Sequence, residues 1–182
     1  MLYLFLAEGF EETEAMAPLD VLRRAGISVE TVGVGARMIT GSHGVTFTAD
    51  KTVSEIKPDA TLDGIVLPGG MPGTLHLEAD ATVQKTIDFC AEEGKLLCAI
   101  CAAPSILGHK QLLQGKKATC FPGFEPELYG ATLQDADVVT DGNVITARGA
   151  GVALLFGEAI AGALVGAEKA HQVLETMQYP FE

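Results

Sequence analysis

Cys101 has the sequence surroundings of a reactive thiol. Residues 95–100 before it are typical of a short buried strand, and residues 102–107 after it are typical of the first turns of a helix. A cysteine at such a turn predicts a nucleophile elbow, in which the side chain leaves the sheet beside the helix N-terminal N–H groups. Those N–H groups and the helix dipole favour the thiolate, which is the nucleophilic form of cysteine. The turn therefore predicts an enzyme or a redox sensor built around one thiol.

A glycine-rich loop, residues 68–73, follows an apolar strand and should meet Cys101 at the same end of the sheet. Its glycines, Gly69 and Gly70, allow the backbone to approach a bound group closely. The N–H groups of Gly70 and Ala102 are therefore candidates for an oxyanion hole. Taken alone, the loop is more simply explained as a chain turn.

Three acidic residues, Glu11, Glu12 and Glu14, crowd the first turn of the first predicted helix. Acidic residues at a helix N-terminus usually complement the helix dipole, and this explanation suits at least one of Glu11 and Glu12. Glu14 lies one turn into the helix, faces the same end of the sheet and could instead reach Cys101. Desolvation there would raise the pKa of its carboxyl, which could then donate a proton to the sulfur or carry one during catalysis.

The other thiols have weaker claims to chemistry. Cys98 and Cys101 match C-x-x-C, but three strand residues at about 3.3 Å each separate the Cα atoms by about 10 Å. A disulfide allows no more than roughly 7 Å. Cys98 and Cys90 are therefore predicted to be buried apolar residues. Cys120, at the end of another predicted strand, is the one candidate for a resolving thiol.

Histidine offers no obvious base or metal ligand. Ala102 follows Cys101, so an adjacent Cys-His pair is absent. His43 lies in a Gly-Ser-His-Gly turn and could approach the site from the same or a partner subunit. The remaining histidines are predicted at surface or helix positions: His76, His109 and His171. The spacing of cysteine and histidine gives no zinc pattern.

Composition predicts one domain over residues 1–182. The chain is 48% hydrophobic, enough for one core, and its formal net charge is −12. Such an acidic surface argues against nucleic acid and anionic membranes as partners. Residues 1–6 are too short for a signal peptide or membrane span. We therefore expect a cytoplasmic protein with reduced cysteines.

Strand and helix patterns alternate almost from end to end. Strands are predicted at residues 2–6, 27–34, 38–39, 45–48, 63–67, 95–100, 138–139 and 144–146, and helices at 11–25, 83–93, 102–107, 152–165 and 168–178. This alternation predicts an α/β fold, a doubly wound parallel sheet covered on both faces.

Five segments together resemble the ThiJ/PfpI superfamily, and within it the branch of the Parkinson-disease protein deglycase and bacterial YajL. They are residues 7–14, 20–26, 67–70, 99–104 and 146–151. The resemblance covers essentially the whole chain. It implies a single ThiJ/PfpI-type (class I glutamine amidotransferase-like) domain with a flavodoxin-like sheet sandwiched by helices. It also implies a homodimer.

The resemblance assigns roles to four residues. Cys101 matches the reactive cysteine and Glu14 the protonated glutamate beside it, while Gly70 and Ala102 match the backbone donors near the thiolate. Further residues are expected to line the site: Gly69, His43, Cys120, Phe121 and Arg148.

Two departures from the family pattern bear on the chemistry. Phe121 stands where the human-type pattern has a histidine, which resembles the YajL arrangement and disfavours protease or amidase activity. His43 stands where an arginine usually approaches the site across the dimer. This second change weakens an anion site near Cys101 and makes the site more sensitive to pH.

The leading hypothesis is a cysteine-dependent glyoxalase or deglycase without metal or cofactor. It would act on methylglyoxal or glyoxal and on their adducts with protein or nucleotide amines and thiols, in protection from carbonyl and oxidative stress. The alternative is an oxidative-stress sensor or redox-regulated chaperone that uses oxidation of Cys101 without turnover. A purely structural module is the third possibility. Flavin or nucleotide binding is disfavoured, because no G-x-G-x-x-G or P-loop pattern follows a strand.

Overall fold

The computed structural model describes residues 1–181 and is organised around a parallel sheet. These residues contain the strands β1 Leu2–Leu6, β2 Val29–Gly33, β3 Met38–Thr40, β4 Thr46–Thr48, β5 Lys51–Thr52, β6 Gly64–Leu67, β7 Leu96–Ile100, β8 Lys117–Ala118, β9 Thr132–Leu133, β10 Val138–Asp141 and β11 Val144–Ala147. The α-helices are α1 Glu12–Arg24, α2 Gly73–Ala79, α3 Ala81–Glu92, α4 Pro104–His109, α5 Ala153–Val165 and α6 Ala167–Thr176. Short 3-10 helices cover Val53–Glu55, Glu125–Glu127 and Ala150–Val152.

The main sheet has the order β10-β11-β7-β6-β1-β2-β5. Its pairs are parallel except for β10 with β11, the predicted hairpin at the edge. The chain winds first to one side of β1 and then to the other, so the order reverses between β1 and β6. Ligands of such sheets bind beyond the carboxyl ends of the strands at this reversal. The predicted doubly wound, flavodoxin-like fold is confirmed.

Burial on both faces explains why the central strands are apolar throughout. Leu2, Leu4 and Leu6 of β1 face one core, which α1, α5 and α6 cover, whereas Tyr3 and Phe5 face the other. This alternation follows from the two-residue repeat of a strand. A parallel sheet covered on both faces requires such continuous apolar runs.

Some predicted boundaries were wrong. The helix after Cys101 begins at Pro104, because residues 101–103 form a turn. Helix α2 was missed; it ends at Ala79, and the carboxylate of the next residue, Asp80, caps α3 by accepting the N–H groups of Thr82 and Val83. Residue 120 does not end a strand, since β8 stops at Ala118 in a separate two-stranded sheet. Within residues 1–181, no helix combines the length and apolar character needed to cross a bilayer.

Candidate functional site

Cys101 occupies the strained turn that the sequence predicts. Its φ of +64° lies in the left-handed region that residues other than glycine rarely adopt. The Cys101 N–H donates to the Ala147 carbonyl of the neighbouring strand at 2.9 Å, and the Ala103 N–H donates to the Ile100 carbonyl at 3.0 Å. These bonds hold the turn where β7 ends, and the elbow is confirmed.

Two backbone N–H groups face the Cys101 sulfur. They belong to Gly70 and Ala102, the pair predicted as oxyanion donors. Gly70 has a φ of +87°. At the adjacent Gly69, a Cβ would lie 2.7 Å from the Cys101 Cβ and 2.6 Å from Oε2 of Glu14. Only glycine fits there, because contacts this short force the neighbours apart.

Glu14 is the buried partner of Cys101. Glu14 is 1% exposed, and its carboxyl is hydrogen-bonded to the Cys101 thiol. The Gly69 N–H donates to Oε2 at 2.9 Å, and the Ala150 N–H donates to the same carboxyl. Burial, aided by the charge of Glu11, outweighs these hydrogen bonds and raises the pKa of Glu14 to about 7. The predicted contact and the predicted direction of this pKa are both present.

The pKa of the thiol moves against the prediction. Burial comes first, followed by the charge and hydrogen bond of Glu14, and together they raise the pKa of Cys101 to about 12. The Gly70 and Ala102 N–H groups lower this pKa, but their effect is smaller than the combined effect of burial and Glu14. The expected helix dipole is weak here because α4 starts three residues later and is six residues long. Burial therefore opposes the thiolate throughout, and the charge of Glu14 adds to this opposition once Glu14 is ionised.

The two pKa values describe one shared proton. The buried Cys101–Glu14 pair resists carrying two negative charges, so it keeps one proton above pH 7 and gives up the second only near the pKa of about 12. That proton can rest on the carboxyl, leaving a thiolate held by two N–H groups, or on the sulfur. The pair is therefore suited to moving a proton.

His43 lies apart from the sulfur in this chain. Its side chain is 72% exposed, and Nδ1 lies 3.0 Å from Oε2 of Glu12. The His43 and Val45 N–H groups also donate to Glu12. Although burial opposes it, these hydrogen bonds lower the pKa of Glu12 to about 2. The sequence did not predict this contact, since 31 residues separate the partners.

One group among residues 1–181 has donors spaced for a metal ion. Ligand atoms of Glu11, Glu12 and His43 all lie within 4.8 Å of one another. Both carboxylates are already engaged, because Glu11 accepts the Glu14 N–H at 2.7 Å and Glu12 accepts from His43. A cation would have to displace some of these bonds.

A cavity of about 470 Å³ lies beside the elbow. It is lined by Phe121, Pro122, Arg148, Gly149, Ala150, Gly151 and Val152. The Phe121 N–H donates to the Cys101 carbonyl at 2.8 Å, and the Phe121 side chain is 47% exposed. Ala150 also donates to Glu14, so two lining residues of this cavity, Phe121 and Ala150, contact the pair, although Cys101 and Glu14 do not line the cavity themselves. It could receive the bulk of a substrate.

Cys120 and Arg148 meet around a second cavity of about 370 Å³. Burial, aided by the charge of Glu125, raises the pKa of Cys120 to about 11. Arg148 lines both cavities and pairs with Asp137 at 2.7 Å. The thiols of Cys90 and Cys98 are free and buried, with raised pKa values, and Cys98 lies inside β7 as predicted.

The profile of the DJ-1/PfpI family matches residues 1–163. The chain belongs to the DJ-1/PfpI family. The family member protein dj-1beta of Drosophila melanogaster is 37% identical over 173 residues, which cover 93% of this chain and 92% of that protein. Protein DJ-1 homolog B of Arabidopsis thaliana is 38% identical over 171 residues, 92% of this chain but 39% of the plant protein.

Structural similarity to the family is equally extensive. The structure of oxidized Toxoplasma gondii DJ-1 has a TM-score of 0.94 at 30% identity, covering 99% of this chain and 98% of that chain. The resemblance stated from the sequence is confirmed. The sequence resemblance did not predict the hydrogen bond from the Ala150 N–H to Glu14. Ala150 lies within residues 146–151, which match the family pattern, but the pattern did not indicate this contact.

Proposed function

We propose that this chain is a cysteine-dependent, cofactor-free glyoxalase or deglycase in protection from carbonyl and oxidative stress. Its substrates would be methylglyoxal or glyoxal and their adducts with amines and thiols. The observation that carries the proposal is the buried, hydrogen-bonded Cys101–Glu14 pair, which faces the Gly70 and Ala102 N–H groups. The conversion of methylglyoxal to lactate needs a nucleophile, a proton carrier and oxyanion donors, which are the groups in this pair and its surroundings.

The first step forms a hemithioacetal. The Cys101 sulfur adds to the aldehyde carbon of methylglyoxal, and the proton of the pair moves to the aldehyde oxygen. The Gly70 and Ala102 N–H groups stabilise negative charge as it develops on that oxygen. Because Glu14 ends this step ionised, it is ready to act as a base.

The second step moves hydrogen between the two substrate carbons. Glu14 removes the proton from C1, giving an enediolate, and returns it to C2 while the hydroxyl proton on the C1 oxygen moves to the C2 oxygen. C1 is thereby oxidised to a thioester while C2 is reduced to an alcohol, so no external oxidant is needed. Water then cleaves the thioester, releasing lactate and the free thiol; glyoxal gives glycolate by the same route.

Adducts are supported as substrates by the adjoining space. The cavity of about 470 Å³ beside Phe121 is much larger than methylglyoxal, and its wall includes an aromatic ring and the Arg148 side chain. We further expect a homodimer in the cytoplasm, without nucleic-acid or membrane partners.

Lactate formation from methylglyoxal tests the proposal. Wild-type protein should turn over, while Cys101→Ser and Glu14→Gln should not, because one lacks the nucleophile and the other the proton carrier. Cys90→Ala is the matched control, since it removes a thiol buried in α3. Wild-type protein that forms no more lactate than Cys101→Ser would refute the enzymatic proposal.

A second function, sensing by oxidation, has support from the same geometry. A sulfinate on Cys101 would accept hydrogen bonds from the Gly70 and Ala102 N–H groups and from protonated Glu14. Peroxide supplies the oxidant, and intact mass reads the product. Absence of a stable two-oxygen adduct on Cys101 after treatment would count against sensing.

A further inference from the structure

The His109 side chain, at the end of α4, bridges two carboxylates from different parts of the chain. Nδ1 is hydrogen-bonded to Oε1 of Glu78 on α2, and Nε2 lies 2.9 Å from Oε2 of Glu127 in the 3-10 helix Glu125–Glu127. The Tyr129 hydroxyl donates to the same Glu127 oxygen at 3.3 Å, and its ring centroid lies 5.2 Å from that of His109. Neutral imidazole donates from one nitrogen only. Both bonds to carboxylates therefore require the imidazolium.

The three elements that meet at His109 all lead to the Cys101 turn. Helix α4 follows that turn directly. Helix α2 holds the glycine loop, because the N–H and hydroxyl of Thr74 donate to the Gly70 carbonyl at 2.9 and 3.0 Å. The 3-10 helix follows Phe121, whose N–H donates to the Cys101 carbonyl. The far ends of three site-forming segments are thus tied by one side chain.

We propose that His109 is a positioning residue whose imidazolium ties α2, α4 and the 3-10 helix Glu125–Glu127 together and keeps the Gly70 and Ala102 N–H groups on the Cys101 sulfur. This role concerns only the position of the N–H groups around the Cys101 sulfur, so it does not depend on whether Cys101 acts as a nucleophile or as a redox sensor. The sequence predicted His109 at a surface or helix position, and the structure places it, partly exposed, at the end of α4.

The tie depends on pH in a defined direction. Burial lowers the pKa of His109, but hydrogen bonds with Glu78 and Glu127 outweigh burial and raise it above 6.5. The tie is complete below pH 6.5 and is lost as pH rises through the raised pKa. The groups facing the ring are Glu78, Glu127 and Tyr129, while the neighbouring Lys110 is paired with Asp88 on α3 at 2.7 Å. The effect is modest because these groups are partly exposed.

Three variants separate the charge from the fold. His109→Gln keeps a single donor group without charge, whereas His109→Arg carries charge at every pH and can bind both carboxylates. His171→Gln is the control: His171 lies 3.0 Å from a Glu158 carboxylate oxygen, but it belongs to α6, which supplies no group to the site. The readout is the rate of Cys101 alkylation by iodoacetamide between pH 5.5 and pH 9.5, measured by mass on the Cys101 peptide, with Tm recorded alongside.

At pH 6 we expect His109→Gln to be alkylated about three-fold more slowly than wild type, the size of a weakened hydrogen bond to the sulfur. The difference should shrink as the pH rises through the raised pKa of His109, because the wild-type imidazole then loses its charge. His109→Arg should match wild type at pH 6, and His171→Gln should match it throughout.

Equal or faster alkylation of His109→Gln at pH 6 would overturn the proposal, as would an equal slowing in His171→Gln. If His109→Gln does not fold, Glu127→Gln removes one of the two carboxylate charges that hold the imidazolium and should slow alkylation at pH 6 in the same direction. An unchanged rate in that variant would also overturn it.

Discussion

Replacing Glu14 by glutamine should move the pH at which Cys101 becomes reactive. In the wild-type protein, the first proton leaves the Cys101–Glu14 pair near the pKa of Glu14, which burial raises to about 7. The thiolate arrangement of the remaining proton becomes available at that point. Glutamine cannot release a proton, so in Glu14→Gln the thiol has to ionise alone.

The structure sets the size of this change. Without the charge of Glu14, the influences left on Cys101 are burial, which raises its pKa, and the N–H groups of Gly70 and Ala102, which lower it. If these balance, the thiol returns to its ordinary value of 9.0. The midpoint then shifts upward by about two pH units, equivalent to roughly 3 kcal/mol of proton affinity.

Alkylation of Cys101 by iodoacetamide from pH 5 to pH 10 measures the midpoint. The rate of wild-type protein should rise near pH 7 and then level off, whereas the rate of Glu14→Gln should still be rising at pH 9. Cys90→Ala should follow wild type, because that thiol is buried in α3. Identical midpoints for wild type and Glu14→Gln would refute the shared proton.

Four further outcomes are expected. Gly69→Ala should abolish turnover and lower Tm, because its Cβ would lie 2.6 Å from Oε2 of Glu14; unchanged turnover contradicts this. Glu14→Gln should be more stable than wild type at pH 8. In the wild-type protein the pKa of Glu14 rises from 4.5 to about 7 on folding, so the free energy of unfolding of wild type falls by about 3 kcal/mol between these pH values. Urea unfolding of both proteins at pH 5 and pH 8 measures the difference. Phe156→Ala, at a fully buried position, should lower the free energy of unfolding in urea by about 3–5 kcal/mol. A loss below about 1 kcal/mol would contradict the tight packing around Phe156. His43→Ala should raise the pKa of Glu12 from about 2 towards 4.5 in an NMR titration, without moving the Cys101 midpoint.

The sheet was predictable because its causes are local. The strands β1, β6, β7 and β11 are buried on both faces, so their apolar runs stand out in the sequence. Helix α2 was not predictable in the same way. It is seven residues long and separated from α3 by one capping residue, Asp80, so it shows little periodicity.

The site was predictable in its members and less so in its energetics. Glycine, cysteine and glutamate positions could be named from residue types at strand ends. The pKa of Cys101 could not be predicted, because it depends first on how deeply the thiol is buried and then on the charge and hydrogen bond of Glu14, 87 positions away in the chain. The His109 bridge was also hidden, since its two partners come from separate elements.

The missing histidine base has a physical counterpart in Glu14. A histidine that activates cysteine does so by becoming positively charged, which suits an amide substrate whose leaving group must be protonated. Glu14, with a pKa of about 7, instead alternates between neutral acid and carboxylate while the pair carries no more than one negative charge. Addition to an aldehyde and transfer of hydrogen from C1 to C2 need that alternation and no departing amine. The site is therefore better matched to isomerising a dicarbonyl than to cleaving a peptide bond.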